Sequence, residues 1–298
     1  MRPELARRAD ALAAARVPFV AATVVRAQHP TSVRPGDSGI VLGDGAIEGF
    51  VGGACAESSV RLQALQVLET GEAVLLRIVP ESDEAAATEG AVVVRNPCLS
   101  GGALEIFLEP RLPPPRISVV GETPIGFALA ALGEQLGYDV VLTAGVPEPA
   151  EDAALIVASH GRDEESALRR ALESGVPYVG LVASRKRGAA VVESLREAGL
   201  PEERLTRLRT PAGLEIGAVT PEEIALSILA EVVATRRDEL APPAPDTESA
   251  LDPVCGMTVA VSDAALRFEH AGRPVYFCSE RCLHAFQEDP ERYASRAG

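Results

Sequence analysis

The 298-residue chain contains no tryptophan and few other aromatic residues, with seven phenylalanines and four tyrosines. Its core must therefore be built mainly from Ala, Val, Leu and Ile. Positive charge is also scarce, because 28 Lys and Arg face 43 Asp and Glu, which gives a formal net charge of -15. Such a negative field repels polyanions, so the composition argues against nucleic acid or an anionic membrane surface as a partner.

Long apolar runs are missing too. No run reaches the roughly 18 residues that a membrane-spanning helix needs, so we expect no membrane insertion. Residues 1–17 are charged and Ala-rich and lack the apolar segment of a secretory signal, which predicts a cytoplasmic protein. The five cysteines are an odd number, which argues against a disulfide framework and favours metal binding or thiol chemistry.

The rare residue types are concentrated near the C-terminus. Residues 251–298 hold three of the five cysteines and five of the eleven aromatic residues. A Pro-rich linker at 238–250 precedes this segment, and three consecutive prolines at 113–115 form an earlier break. We therefore predict three domains, at 1–112, 116–237 and 251–298.

The predicted secondary structure differs between the first two domains. Residues 1–112 mix helices with short strands around a Gly-dense stretch, which is typical of an α+β domain. Residues 116–237 alternate strands and helices with short connections, which predicts a Rossmann-like, doubly wound parallel sheet. With the small Cys-containing C-terminal module, the chain is predicted to be an α/β protein.

The motif Gly121-Glu-Thr-Pro-Ile-Gly126 follows the first predicted strand of the second domain, where a dinucleotide-binding turn would lie. Thr123 replaces the middle glycine, Pro124 lacks an N–H, and no acidic residue directly follows the next strand, which ends at Thr143. These departures argue against NAD(P). The helix N-terminus can still receive the phosphate of another ligand, and a nucleotide-dependent oxidoreductase stays an alternative.

Two Gly-rich motifs of the first domain contain cysteine. Val51-Gly-Gly-Ala-Cys55-Ala-Glu57 places a thiol at a predicted helix N-terminus, where the helix dipole favours the thiolate. Arg95-Asn-Pro-Cys98-Leu-Ser-Gly-Gly102 combines a second thiol with a Gly pair. Such turns suit an anionic ligand, a soft metal or a sulfur relay. The alternatives are a small buried cysteine on a tight turn and two independent turns.

Two polar motifs follow strands of the second domain, at the edge where open α/β sheets bind ligands. One is Ala158-Ser-His-Gly161 and the other is Ser184-Arg-Lys-Arg187. His160, Ser184 and Arg185 are candidates for holding a phosphate. For Lys186 and Arg187, a solvated helix start is the favoured interpretation.

Three cysteines of the C-terminal module form a candidate metal site. Cys278 and Cys282 are four residues apart and share one face of a helix, and Cys255 lies in a turn 23 residues before Cys278. Thiolates select soft metals such as Zn²⁺ or Cu(I). The alternative is an apolar mini-core, but a module this small needs a staple, which favours a metal. Candidate fourth ligands are Met257, His270 and His284.

Longer runs resemble known families. Residues 1–112 resemble the N-terminal domain of the XdhC/CoxI family, and residues 116–237 are similar to the Rossmann-like domain of the same family. Residues 251–298 resemble a YHS domain, a Cys-containing module related to the TRASH metal-binding group. The runs that carry the XdhC/CoxI resemblance are Arg34–Gly36, Gly49–Glu57, Cys98–Pro110, Ala158–Gly161, Tyr178–Arg185 and Pro211–Glu231.

The resemblance implies an accessory protein that matures molybdenum hydroxylases, not a turnover enzyme. Such a protein binds the molybdenum cofactor, supports its sulfuration and inserts it into a xanthine-dehydrogenase-like or carbon-monoxide-dehydrogenase-like apoenzyme. The implied partners are the large subunit of that enzyme, a cysteine desulfurase and a second copy of the chain. The departures at the 121–126 turn are those of the CoxI-like branch. A metal-binding regulator acting through the YHS module is a further alternative.

The resemblance and the motifs together give a set of candidate residues. Cys55 matches the family's Gly-Gly-x-Cys motif and is the first choice. We predict that the first two domains form a cleft, with Cys55 and Cys98 on one wall and His160 and Arg185 on the other. The candidate cofactor-binding residues are Arg34, Gly52, Gly53, Cys55, Glu57, Cys98, Ser100, Gly101, Gly102, Gly121, His160, Ser184 and Arg185. The candidate metal ligands are Cys255, Cys278 and Cys282, and no catalytic residue is predicted.

Overall fold

The computed structural model describes residues 2–80, 90–96, 103–145, 152–159, 164–239 and 247–294. The chain divides into two compact units, one formed by Met1–Pro113 together with Pro242–Gly298 and the other by Pro114–Ala241. The C-terminal module therefore packs with the N-terminal domain in one unit. Within the described residues, no helix is both long and apolar enough to cross a membrane.

The N-terminal domain is built on a six-stranded sheet with the order β3-β2-β1-β6-β4-β5, in which β4 and β5 pair in parallel and the other neighbours are antiparallel. Its elements in chain order are α1 (Pro3–Ala14), β1 (Phe19–Ala27), β2 (Ser38–Leu42), β3 (Ile47–Gly49), α2 (Ala54–Thr70), β4 (Val74–Pro80), β5 (Ala91–Asn96) and β6 (Leu104–Arg111).

The side chains of β1 alternate between the two faces of the sheet, and each face carries its own apolar core. Val20 packs with the α2 residues Val60 and Val67 in the larger core, whereas Phe19 packs with Leu12 of α1 on the opposite face. Each fully buried aliphatic side chain of this size contributes about 1.5–3 kcal/mol. The packing fixes α2 across the sheet and thereby fixes the position of its N-terminus, where Cys55 lies.

The second unit contains the predicted Rossmann-like fold. Its sheet is parallel throughout, with the order β11-β10-β9-β7-β8, α3 and α7 on one face and α4 and α5 on the other. Its elements are β7 (Arg116–Val120), α3 (Pro124–Gln135), β8 (Asp139–Thr143), β9 (Ala154–Val157), α4 (Glu164–Ser174), β10 (Tyr178–Leu181), α5 (Arg185–Glu197), α6 (Glu202–Leu205), β11 (Leu208–Arg209) and α7 (Pro221–Glu239). The strand order reverses between β7 and β9, which is where such sheets bind ligands.

The C-terminal module consists of two antiparallel strand pairs and two short helices. Its small core surrounds Phe286, whose ring is fully buried and lies 5.3 Å from the ring centroid of Phe277. His270 also packs edge-on against Phe286, with 5.3 Å between ring centroids. The elements are β12 (Ser249–Leu251), β13 (Thr258–Ala260), β14 (Leu266–His270), β15 (Arg273–Phe277), α8 (Glu280–Glu288) and α9 (Pro290–Ala294).

Candidate functional site

The three cysteines predicted as metal ligands lie together in the C-terminal module. The Sγ of Cys278 is 3.5 Å from that of Cys255 and 3.7 Å from that of Cys282. Two thiolates bound to one tetrahedral Zn²⁺ at about 2.3 Å lie about 3.8 Å apart, so this spacing fits a thiophilic metal. None of the four described cysteines forms a disulfide bond. The donor set and its spacing therefore support the predicted metal site.

Asp252 organises this thiol cluster. Its carboxylate is fully buried and lies within the same 4.8 Å group as the three thiols. One oxygen accepts the backbone N–H groups of Val254 and Cys255 at 2.9 and 3.4 Å, and the other accepts that of Cys278 at 2.9 Å. Because both oxygens bind backbone donors, Asp252 acts as a brace between the two cysteine loops, beside the three thiols.

The close approach of the thiols separates their acidities. A hydrogen bond from Cys278 lowers the pKa of Cys255. The pKa of Cys278 is raised by its hydrogen bond to Cys255, by a second one involving Cys55 and by burial. Burial raises the pKa of Cys282 to about 12. Each thiol that binds a metal must release its proton to solvent, and the raised pKa values of Cys278 and Cys282 make that release harder than for a free thiol.

The Gly-rich turn before α2 presents Cys55 as the sequence predicts. Gly52 is buried with φ of +150°, and a Cβ on it would lie 2.6 Å from the Cβ of Ala56. Gly53 is the N-cap and provides no side-chain cap, and its carbonyl accepts the N–H groups of Ala56 and Glu57 at 2.8 and 3.0 Å, so the positive end of the α2 dipole lies at this turn. Asn96, fully buried on β5, donates its side-chain N–H to the carbonyl of Cys55 at 3.0 Å.

Cys55 and the module cysteines line one cavity of about 890 Å³ within the first unit. Glu57 from the first turn of α2 and Arg61 from the second line it as well. Burial lowers the pKa of Arg61, and its Nε donates to the carbonyl of Gly45 at 2.7 Å. The cavity therefore combines a helix N-terminus, two guanidinium groups, two carboxylates and four thiols.

At the edge of the second sheet, Gly121 follows β7 and approaches the segment that follows β9. A Cβ on Gly121, whose φ is +120°, would lie 2.7 Å from the carbonyl oxygen of Ala158. Thr123 caps α3, and its hydroxyl accepts the N–H of Gly126 at 3.2 Å. That N–H belongs to the turn that would hold a dinucleotide phosphate, so Thr123 competes with such a ligand for the donor.

A buried ion pair lies at the same edge. Glu164, at the start of α4, is 5% exposed, accepts the hydroxyl of Ser159 at 3.3 Å and forms a salt bridge with Arg187. Ser184 caps α5 and accepts the N–H of Arg187 at 3.3 Å. The predicted solvated role of Arg187 is thus replaced by a structural one, whereas Arg185 is exposed and pairs with Glu215 at 2.6 Å.

Removing the guanidinium with Arg187→Met is expected to destabilise the second unit by about 1–3 kcal/mol. A buried pair usually costs more to break, but Arg187 is one-third exposed, so solvent compensates part of the loss. The measurement is urea unfolding of the full chain. The matched control is Arg185→Met, which removes an exposed pair and should cost less than about 1 kcal/mol. Equal effects of the two substitutions would show that Glu164 does not depend on Arg187.

The structure brings some of the sequence-predicted residues together and leaves others apart. Cys55 and Glu57 meet Cys255, Cys278 and Cys282 in the cavity of the first unit. Arg34 is exposed in the turn between β1 and β2. Gly121, Ser184 and Arg185 belong to the second unit. The residues that lie outside the described part of the chain are Cys98, Ser100, Gly101, Gly102 and His160, so the predicted cleft stays a prediction.

Sequence reasoning missed Asp252, Asn96 and Arg61. Asp252 carries a readable signal, because an Asp two or three residues before the N–H groups it binds is typical of an Asx turn. Asn96 and Arg61 carry none, since each acts on a segment distant in sequence.

Fold and site define a class of protein: an α/β chain with a Rossmann-like unit and an N-terminal domain joined to a thiol-rich module. Comparison with family models agrees. The model of the XdhC and CoxI family matches residues 12–79, that of the XdhC Rossmann domain matches 117–232, and that of the YHS domain matches 250–297. The chain belongs to the XdhC and CoxI family and carries a C-terminal YHS domain.

Curated relatives place the chain among similar proteins. It is 28% identical to the uncharacterized protein YqeB of Escherichia coli, over 91% of this chain and 55% of the relative. It is 25% identical to the molybdenum cofactor insertion chaperone PaoD of E. coli, over 66% of this chain and 77% of the relative. It is 24% identical to a probable xanthine dehydrogenase subunit of Bacillus subtilis, over 44% of this chain and 46% of the relative. The chain thus spans about half the length of YqeB and of the B. subtilis protein.

Among solved structures, a xanthine dehydrogenase from Bacillus halodurans aligns with a TM-score of 0.39 and 17% sequence identity. The alignment covers 80% of this chain and 97% of that chain.

Proposed function

We propose that the chain is a maturation factor for molybdenum hydroxylases that binds the molybdenum cofactor, supports its sulfuration and inserts it into the apoenzyme. Family membership supports this role, and so does the similarity to a protein named as a molybdenum cofactor insertion chaperone. The observation that carries the proposal is the glycine turn that presents Cys55 at the N-terminus of α2.

The chemistry of this turn suits the proposed cargo. Molybdenum cofactor is an anionic phosphate ester with a soft dithiolene, and it supplies the molybdenum centre of the client enzyme. In the proposed complex, the positive end of the α2 dipole attracts the anion, and Cys55 offers a thiolate that the same dipole favours. Arg61 contributes positive charge to the same cavity.

The remaining elements of the proposal follow from the role. The client is the large subunit of a xanthine-dehydrogenase-type or carbon-monoxide-dehydrogenase-type enzyme, and a cysteine desulfurase supplies the sulfur. The chain acts in the cytoplasm as a carrier without turnover of its own, and two copies associate. The candidate cofactor-binding residues are those given above, with Cys55 first among them.

Substituting Cys55 tests the proposal most directly. Full-length chain is purified without oxygen from cells that make the cofactor, and bound pterin is measured by fluorescence after oxidation. Cys55→Ser is expected to retain about one tenth of the wild-type pterin or less. A tenfold loss requires that the thiol contribute only about 1.4 kcal/mol to the free energy of binding. Cys282→Ser, which removes a module thiol and keeps Cys55, should retain at least as much as the wild type.

Two results would contradict the chaperone role. One is a wild-type chain that retains no pterin, and the other is a pterin-loaded chain that fails to activate a cofactor-free client.

A second candidate function, a metal-binding regulator, is favoured by the thiol cluster of the YHS module. Measurement of bound pterin separates the regulator from the maturation factor, because a regulator of this kind retains metal and no pterin.

A further inference from the structure

A cysteine of the N-terminal domain reaches the thiol cluster of the YHS module. Cys55 is half-buried and packs against the same cluster of side chains as Cys255 and Cys278. All four described cysteines line one cavity. Cysteines separated by about two hundred residues in sequence thus face the same space.

This contact is supported by docking of the module along α2, where β13 packs on the helix. Thr247 donates its hydroxyl to Glu69 near the C-terminal end of α2 at 2.7 Å, and the N–H of Ala264 donates to the carbonyl of Asp44 at 3.3 Å. Ser262 sits directly over Gly45, since a Cβ on that glycine would lie 2.6 Å from the serine hydroxyl. The module is therefore held both against α2 and against the turn between β2 and β3.

The module supplies only three thiols to a metal that prefers four ligands. The fourth member of its ligand group is Asp252, whose two oxygens already accept three backbone N–H groups. His270 packs on the ring of Phe286 instead. Cys55 is the additional thiol at the cluster, and it comes from the domain on which the module docks.

We infer that Cys55 is the fourth ligand of a composite metal site, in which it joins Cys255, Cys278 and Cys282 around one Zn²⁺ ion. Four thiolates in tetrahedral geometry form a closed, structural type of site. Each thiol that binds the metal gives its proton to solvent. The metal then fastens the module to α2 and occupies the thiol that, on the proposed function, receives the molybdenum cofactor. Metal and cofactor therefore compete for Cys55.

Cobalt spectroscopy tests the ligand set. Reduced, metal-free full-length chain is titrated with Co²⁺, and bound Zn²⁺ is then measured by competition. The wild type should show the sulfur-to-cobalt charge-transfer band of a four-thiolate site. Cys55→Ser should lose about a quarter of that intensity and bind Zn²⁺ at least about tenfold more weakly, because one of four thiolates is gone. Ala54→Ser, which changes the exposed neighbour and keeps every thiol, is the matched control and should behave as the wild type.

Thiol labelling gives a second measurement that needs no variant. The wild-type chain is alkylated with and without Zn²⁺, and the modification of each cysteine is read by mass spectrometry. Zn²⁺ should protect Cys55 together with the three module cysteines. Protection of those three alone would overturn the composite site, and so would unchanged cobalt spectra and Zn²⁺ affinity in Cys55→Ser.

The competition is tested separately from the ligand set. Zn²⁺-loaded chain should retain several-fold less pterin than metal-free chain, and removal of the metal with a chelator should restore binding. Equal retention in both forms would show that the metal leaves Cys55 available and would overturn the competition. A chain that binds Zn²⁺ through four thiolates and no pterin in either form would remove the proposed function and leave the composite site standing.

Discussion

Replacing Asp252 with alanine is expected to unfold the YHS module under conditions in which the rest of the chain stays folded. The fully buried carboxylate accepts three backbone N–H groups, from Val254, Cys255 and Cys278. An N–H left without its acceptor in a buried site costs about 1–3 kcal/mol, so the combined loss is about 3–5 kcal/mol. A module of 48 residues has little stability beyond that amount.

Hydrogen exchange read by mass spectrometry measures this effect, because it reports the module and the two larger domains separately. In Asp252→Ala, amides of 250–294 should lose protection while those of 114–239 keep it. The matched control is Asp263→Ala, which removes an exposed carboxylate from the same module and should leave exchange unchanged. Wild-type protection in Asp252→Ala would show that the two cysteine loops hold their positions without the brace.

Zn²⁺ binding should also weaken in Asp252→Ala. Asp252 holds the loops of Cys255 and Cys278 in place, so its loss adds the cost of ordering those loops to every binding event. Zn²⁺ can offset part of this free-energy cost, since ligand binding stabilises the folded state by mass action. Saturating Zn²⁺ should therefore restore some of the protection that Asp252→Ala loses, in the module alone.

Local sequence patterns predicted the elements better than the contacts between distant segments. Alternation of strands and helices with short connections specified the parallel sheet of the second unit, because three of its four strand pairings join strands that are consecutive in the chain. The β11 strand of Leu208–Arg209 was not predicted, since two residues leave no periodicity. The α2 helix and the glycine stop at its end were predicted from a buried face and from Gly71, whose φ is +69°.

Docking of the module on α2 had no such local signal. It depends on single contacts such as Thr247 with Glu69 and Ser262 with Gly45, which lie about two hundred residues apart. The Pro-rich composition of the preceding segment indicated a linker, and a linker constrains neither the position nor the orientation of the module that it tethers. The sequence therefore placed the five cysteines in two separate groups, whereas the structure gathers four of them in one cavity.

Replacing Gly121 with alanine is expected to destabilise the second unit by about 3–5 kcal/mol. Its φ of +120° is unfavourable for any residue with a Cβ, and that Cβ would lie 2.7–2.8 Å from backbone atoms of Ala158 and Ser159. These atoms follow the central strand β9 and cannot move without disturbing its pairing with β7. Gly121 thus allows two neighbouring strand ends to approach each other, and this accounts for the glycine independently of any ligand of the turn.

Comparison with Gly137→Ala separates the two causes of that loss, which are backbone strain and steric overlap of the added Cβ. Gly137 also has a positive φ, +81°, but a Cβ there would meet nothing within 4 Å, so its substitution should cost only about 1–2 kcal/mol of backbone strain. Urea unfolding and hydrogen exchange of 114–239 measure both variants. If Gly121→Ala costs no more than Gly137→Ala, close approach of the strand ends is not the reason for the glycine. A ligand bound at the turn would then be the remaining reason for Gly121. That result would favour the nucleotide-binding alternative, which the hydrogen bond between Thr123 and Gly126 argues against.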